Sequence, residues 1–231
     1  MLKTHITKRD ARRAARARRK LYTRIIVAGI IIVVLAAGIW WLVVTTQQVK
    51  PGVTVATPEL VGTKQYSAAP PMLIDVAKQY FATVIMAKGG EFVIQLYPDK
   101  APITVNSFVF LARQGYFDGV TFHRVLDGFM AQGGDPTGTG GGGPGYSFVN
   151  EANDLTFDKA GVVAMANAGA NTNGSQFFIM FGPYGLSESG YTIFGQVISG
   201  MDVVNAITRR DPDQNPTFTG DAIESITITE K

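Results

Sequence analysis

A chain of 231 residues, 46% hydrophobic and 17% charged, has room for one domain of ordinary size with roughly 75 residues to spare. The absence of cysteine excludes disulfides, thiolate metal sites and cysteine nucleophiles. The net charge of +3 conceals a strong asymmetry. Of 21 basic and 18 acidic residues, ten and one lie within 1–24, which leaves eleven and seventeen for 25–231, a net −6. The folded part is therefore acidic, which argues against a nucleic-acid-tracking domain.

In chain order, residues 1–24 form a basic tail, expected on the cytoplasmic side. Ile25 to Val44 is a run of twenty residues without a charge. As a helix it spans about 30 Å, the thickness of a bilayer's hydrocarbon core, and predicts a single transmembrane helix over 25–44. Trp40 and Trp41 fall near its far end, where indole rings favour the interface. The basic residues all precede the run, so the rest of the chain is expected outside the cytoplasm, with the lipid bilayer as a partner. A cleaved signal peptide would have a shorter apolar core and a small-residue cleavage site. Residues 45–76 contain Pro51, Pro58, Pro70 and Pro71 among polar residues and read as a flexible linker.

From Tyr80 the pattern becomes that of strands. Tyr80–Ala87 and Glu91–Tyr97 flank Lys88-Gly89-Gly90, a hairpin signal. Phe92, Ile94 and Leu96 share one face. Pro102 opens a helix whose Val105, Phe108, Val109 and Ala112 define a single apolar stripe, ended by Gly115. Thr121–Leu126 and Phe129–Gly133 form a hairpin about Asp127-Gly128. Strands are predicted at Gly161–Ala166, Ser175–Met180, Tyr191–Val197 and Ile223–Thr229, with a short helix at Met201–Ile207 that stops before Pro212. The fold class expected for 77–231 is mostly β: a closed eight-stranded antiparallel barrel capped by two α-helices, preceded by the transmembrane helix.

Two stretches carry a specific signature. One is Phe122-His123-Arg124-Val125-Leu126-Asp127-Gly128-Phe129-Met130-Ala131-Gln132-Gly133-Gly134-Asp135. The other is Met165-Ala166-Asn167-Ala168-Gly169-Ala170-Asn171-Thr172-Asn173-Gly174-Ser175-Gln176-Phe177-Phe178-Ile179. Together with Tyr191-Thr192-Ile193-Phe194-Gly195 they resemble the cyclophilin family of peptidyl-prolyl cis-trans isomerases, over about residues 78–231. The resemblance implies an enzyme that rotates Xaa-Pro bonds in proline-containing polypeptides, aids protein folding and acts as a monomer without metal or cofactor. It implies that Arg124 is the donor to the prolyl nitrogen, and that Gln132 bonds the substrate backbone and helps hold Arg124. It assigns Phe129, Met130, Phe178 and Leu186 to the proline pocket, Ala166 and Asn167 to peptide pairing, and Gln176 to the floor. Tyr191 stands where histidine is common. Pro183-Tyr184-Gly185 stands where many members carry tryptophan, which weakens any expectation of tight cyclosporin binding.

Other features read more plainly. His123 is the domain's sole histidine and is expected to be packing. Gly138 to Gly143 matches GxGxxG, but no GK[ST] appears and no long helix follows at once, so it reads as a flexible loop at the rim. Asn173-Gly174-Ser175 is a chance sequon. Two other functions compete: a proline-segment binding module with little turnover, and a structural membrane protein whose tail recruits a partner.

Overall fold

The structure is a computed structural model that describes residues 60–62, 64–187 and 190–231. The basic tail and the apolar run 25–44 lie outside the described residues. Among the described residues no helix is long and apolar enough to cross a membrane.

Short strands β1 (Leu60–Gly62) and β2 (Gln65–Tyr66) pair antiparallel ahead of the main sheet. That sheet contains β3 (Tyr80–Met86), β4 (Glu91–Leu96), β5 (Arg124–Leu126), β6 (Met130–Gly133), β7 (Val162–Met165), β8 (Phe177–Met180), β9 (Ile193–Ser199) and β10 (Ile223–Glu230). Two helices accompany it, α1 (Pro102–Arg113) and α2 (Met201–Asn205). The strand order is β10-β3-β4-β9-β7-β8-β6-β5, with every neighbour antiparallel.

The expected closed barrel is not what forms. The sheet curls into a half-barrel whose edges, β10 and β5, share no ladder. β5 is three residues long, and its free edge is taken by Arg210, which exchanges two backbone hydrogen bonds with Val125 (2.6 and 2.9 Å). The start of β10 pairs instead with the irregular segment around Thr121, through an isolated bridge to Ala222. Loop backbone takes the edge of β5 and the start of β10, so these two strands do not pair with each other.

Strand alternation builds two apolar layers. In β3, Tyr80, Ala82, Val84 and Met86 point inward, as do Phe92, Ile94 and Leu96 of β4. β7 and β8 are buried on both faces. Val163, Met165, Phe177 and Ile179 join the main core, while Val162, Ala164, Phe178 and Met180 join a second cluster on the other face. A strand covered on both sides reads as a continuous apolar run, as Phe177–Met180 does.

Helix α1 departs from the single stripe expected of it. Thr104 through Ala112 are all buried. The outer face is covered by residues that the sequence places in the linker. Tyr66 is buried, with its ring 5.0 Å from Phe110 and edge-on to it. Asn106 accepts from the Leu73 N–H (2.7 Å) and donates to the Pro71 carbonyl (2.8 Å). Residues 64–76 thus run as a strap over α1. Its N-cap residue, Ala101, has no side chain able to cap. Glu151 does so from a distance, accepting from the N–H groups of Ile103 (2.9 Å) and Thr104 (2.8 Å) and from the Thr104 hydroxyl (2.7 Å). A carboxylate there also meets the positive end of the helix dipole.

The glycine-rich loop after β6 is tied down. Buried Asp135 accepts from the Thr137 N–H (2.7 Å) and hydroxyl (2.8 Å), and from the N–H groups of Gly140 (2.6 Å) and Gly142 (3.1 Å). Burial by itself would raise the Asp135 carboxyl. These four donors outweigh it and hold the group below its ordinary 3.8. Gln176 adds a second tether, donating from Nε2 to the carbonyls of Gly140 and Gly142, each at 2.9 Å.

A group depressed in the folded state contributes stability above its unfolded pKa and loses it as pH falls through the folded value. Asp135→Asn is expected to destabilise the protein by about 2–3 kcal/mol at pH 7, because charge-assisted bonds to a buried acceptor are lost. The gap between wild type and variant, measured by urea denaturation, should be full above about pH 5 and narrow progressively below about pH 4.

Candidate active site

The β5–β6 hairpin and β8 set one row of side chains. Arg124 pairs with Gln132 across β5 and β6, and Gln132 pairs with Phe178 across β6 and β8. Directly paired residues share a face, so these three project together, while Ala131 and Val125 turn into the core. Met130, two residues from Gln132, lies on the same face and packs in the second cluster. Gly134, the residue after β6, has φ +88°. A Cβ there would lie 2.2 Å from the Ser175 carbonyl, so only glycine lets the ends of β6 and β8 meet.

Over this row lies a cavity of about 200 Å³. It is lined by Arg124, Phe129, Met130, Gln132, Ala166, Asn167, Phe178, Leu186 and Tyr191. Nine of the ten residues singled out from the sequence thus meet around one space. The tenth, Gln176, lines the adjoining larger cavity of about 520 Å³. The apolar wall is braced by ring contacts. The Phe178 ring lies against Phe157 (5.9 Å, near parallel) and edge-on to Tyr191 (5.5 Å).

Two site features were not legible in the sequence. Phe157 buttresses Phe178 and Tyr191 from behind. Tyr184, about half exposed, stacks on Phe129 with centroids 4.3 Å apart. Tyr184 lies in the tripeptide that replaces the family's tryptophan, which was the available signal. Its N–H donates to the Phe157 carbonyl (3.0 Å) and its carbonyl accepts from Leu186 (2.8 Å), so it also fixes that wall.

The polar side of the cavity is organised to leave selected groups unused. The Arg124 guanidinium lies 6.0 Å from the centre of the Phe129 ring and makes no hydrogen bond or ion pair with any described residue. Gln132 does not hold Arg124 by a hydrogen bond. Its Nε2 donates to Gln176 Oε1 (2.9 Å). The Gln132 side-chain amide oxygen makes no hydrogen bond with any described residue. Asn167 spends its side chain on the surrounding loops, donating to the Gly190 carbonyl (2.9 Å) and accepting from the Gly169 N–H (3.2 Å). The Ala166 N–H is bound to the Gln176 carbonyl (3.0 Å). His123 is buried with both ring nitrogens unpartnered among the described residues, and burial lowers its pKa below the ordinary value. It lies beneath the Gly140 end of the glycine loop.

The arrangement is a small cavity with an aromatic and aliphatic wall on one side and, on the other, a cation that pairs with no described residue. Such a site can grip a ring and present N–H donors to it without covalent chemistry. Comparison with known proteins agrees. The family described as cyclophilin type peptidyl-prolyl cis-trans isomerase/CLD matches residues 81–229. Peptidyl-prolyl cis-trans isomerase A of Mycobacterium tuberculosis is 48% identical over 160 residues, 61% of this chain and 87% of its own length. Peptidyl-prolyl cis-trans isomerase-like 1 of Rhizopus delemar is 50% identical over 130 residues, 54% of this chain and 79% of its own. The crystal structure of a cyclophilin type peptidyl-prolyl cis-trans isomerase from Cryptosporidium parvum superposes with a TM-score of 0.59 at 31% identity, covering 66% of this chain and 99% of that one. The same protein in the presence of the dipeptide Ala-Pro gives 0.58. Residues 81–229, which contain the whole slot and its uncommitted arginine, thus make this chain a member of the cyclophilin-type peptidyl-prolyl cis-trans isomerase family.

Proposed function

We propose that the slot between Phe129, Phe178 and Leu186 holds the proline ring of a polypeptide while Arg124 drives rotation of the bond before it. The observation that carries this reading is the Arg124 guanidinium, without a hydrogen-bond or ion-pair partner among the described residues, beside a cavity of about 200 Å³ walled on one side by Phe129, Met130, Phe178 and Leu186. A related structure obtained with Ala-Pro supports a proline-containing ligand.

The mechanism follows from amide electronics. Resonance gives the prolyl bond a barrier of about 18–20 kcal/mol. At the twisted midpoint resonance is lost and the nitrogen regains a lone pair. An N–H donor aimed at that nitrogen gains a partner only there, so it lowers the barrier without tightening the ground state. Arg124 supplies a permanent charge and a planar fork of donors. Gln132 offers its carbonyl oxygen to a substrate N–H. Ala166 and Asn167 lie where an extended peptide passes, with the Asn167 side chain already committed to the loops. Gln176 acts one step back, holding Gln132 and the glycine loop together.

The location belongs to the same proposal. The apolar run 25–44 anchors the chain in a lipid bilayer, and the ten basic residues before it keep the N-terminus cytoplasmic. The isomerase domain then works outside the cytoplasm, on chains that emerge there unfolded.

Arg124→Ala in the full chain is expected to reduce kcat/KM on a short Xaa-Pro peptide by about 100- to 1,000-fold, the usual effect of losing one transition-state donor. Stopped-flow cis-to-trans relaxation measures it. A loss below about threefold in a folded variant would remove Arg124 from the mechanism. For the topology, protease added to intact cells should digest the isomerase domain and spare an epitope placed at residue 1. Digestion of the epitope with survival of the domain would reverse the orientation.

A further inference from the structure

The family match starts at residue 81, yet residues 64–76 are built into the molecule next to the site. The strap meets the glycine loop at its far end. The Tyr66 N–H donates to the carbonyl of buried Pro144 (2.7 Å). Gly145 has φ +90°, and a Cβ there would fall 2.6 Å from the Tyr66 carbonyl and 3.1 Å from its nitrogen. The two backbones touch, and any side chain at residue 145 would part them. The Tyr66 ring is wedged against Phe110 and Tyr116, and Lys64 Nζ donates to the Asp118 carbonyl. The loop is therefore fastened by Asp135 and Gln176 at Gly140 and Gly142, and by the strap at Pro144–Gly145.

This loop walls the cavity of about 520 Å³ that adjoins the prolyl slot and shares Gln132, Ala166 and Asn167 with it. Gln65 lines that cavity too. A peptide whose proline fills the slot and whose backbone follows Ala166 and Asn167 carries its neighbouring side chains into this second space.

We propose that the strap is part of the substrate site: Tyr66 positions the glycine loop, and Gln65 selects polypeptides bearing a hydrogen-bonding side chain beside the proline. Selectivity for the flanking sequence then resides partly in residues outside the isomerase domain proper. This rests on the prolyl slot assigned above. Gln65 is exposed at the rim and brings an amide with both donor and acceptor. Of the cavity's other polar side chains, those of Gln132, Tyr146, Asn167, Thr172, Ser175 and Gln176 already hydrogen-bond within the protein, which leaves Ser147.

The test uses the full chain in detergent and peptides of three kinds. One is a short Xaa-Pro peptide. The others extend it by three residues before Xaa or after proline, each extension made with Gln or with Ala at every position. Wild type should prefer the Gln version of one extension. Gln65→Ala should cut that preference by about three- to tenfold, the worth of one hydrogen bond, through KM rather than kcat. Tyr66→Ala should cut it as well, and should speed amide hydrogen exchange across residues 140–146. A wild-type preference near one, or a preference unchanged within twofold in folded Gln65→Ala, overturns the proposal while turnover of the short peptide leaves the isomerase reading standing. No turnover of the short peptide by wild type would overturn both.

Discussion

The site depends on one constraint above the rest, the pairing register of β5, β6 and β8. Arg124, Gln132 and Phe178 lie side by side only because Arg124 pairs with Gln132 and Gln132 with Phe178. A slip of one residue would send all three into the core and bring Val125, Ala131 and Ile179 out. Two apolar layers fix the register. Phe177 and Ile179 fill the main core, while Phe178 and Met180 fill the outer cluster. Neither set can leave its layer without exposing large side chains, at roughly 1.5–3 kcal/mol each. Gly134 then lets the strand ends approach closely enough for Ser175 to donate to the Gly134 carbonyl (2.7 Å).

From that register the polar architecture follows outward. Gln132 reaches Gln176, Gln176 reaches the carbonyls of the glycine loop, and Asp135 holds the same loop by its N–H groups. Each of these groups is spent on a neighbour. Arg124 has no hydrogen-bond or ion-pair partner among the described residues, and its guanidinium lies beside the Phe129 ring. The fold thus separates two tasks. Aromatic surfaces hold the ring, and one charge waits for the twisted amide.

Much of this was legible in the sequence, for identifiable reasons. Alternation exposed β4 through Phe92, Ile94 and Leu96, and the Asp127-Gly128 turn marked the β5–β6 hairpin. The long motifs singled out residues that the fold brings around one cavity, from Arg124 to Tyr191, because spacing within paired strands carries over directly. Three things did not show. Closure of the sheet depends on which backbone takes the edge of β5, and Arg210 carries no local signal that it does so. The strap looked like linker because Pro70, Pro71 and their polar neighbours gain their stability from Asn106 and Phe110, more than thirty residues away. The glycine loop looked flexible because its tethers, Asp135, Gln176 and the strap at Pro144, lie outside its glycines.

The central claim is that grip and rotation are separate in this site, with rotation carried by Arg124. The most direct measurement is exchange NMR on an Xaa-Pro peptide held at saturation, which reads cis–trans interconversion of the bound peptide apart from its affinity. The account predicts that Arg124→Ala retains binding within a few-fold while interconversion on the enzyme falls by about two orders of magnitude. Bound-state interconversion at the wild-type rate, with affinity alone reduced, would contradict it.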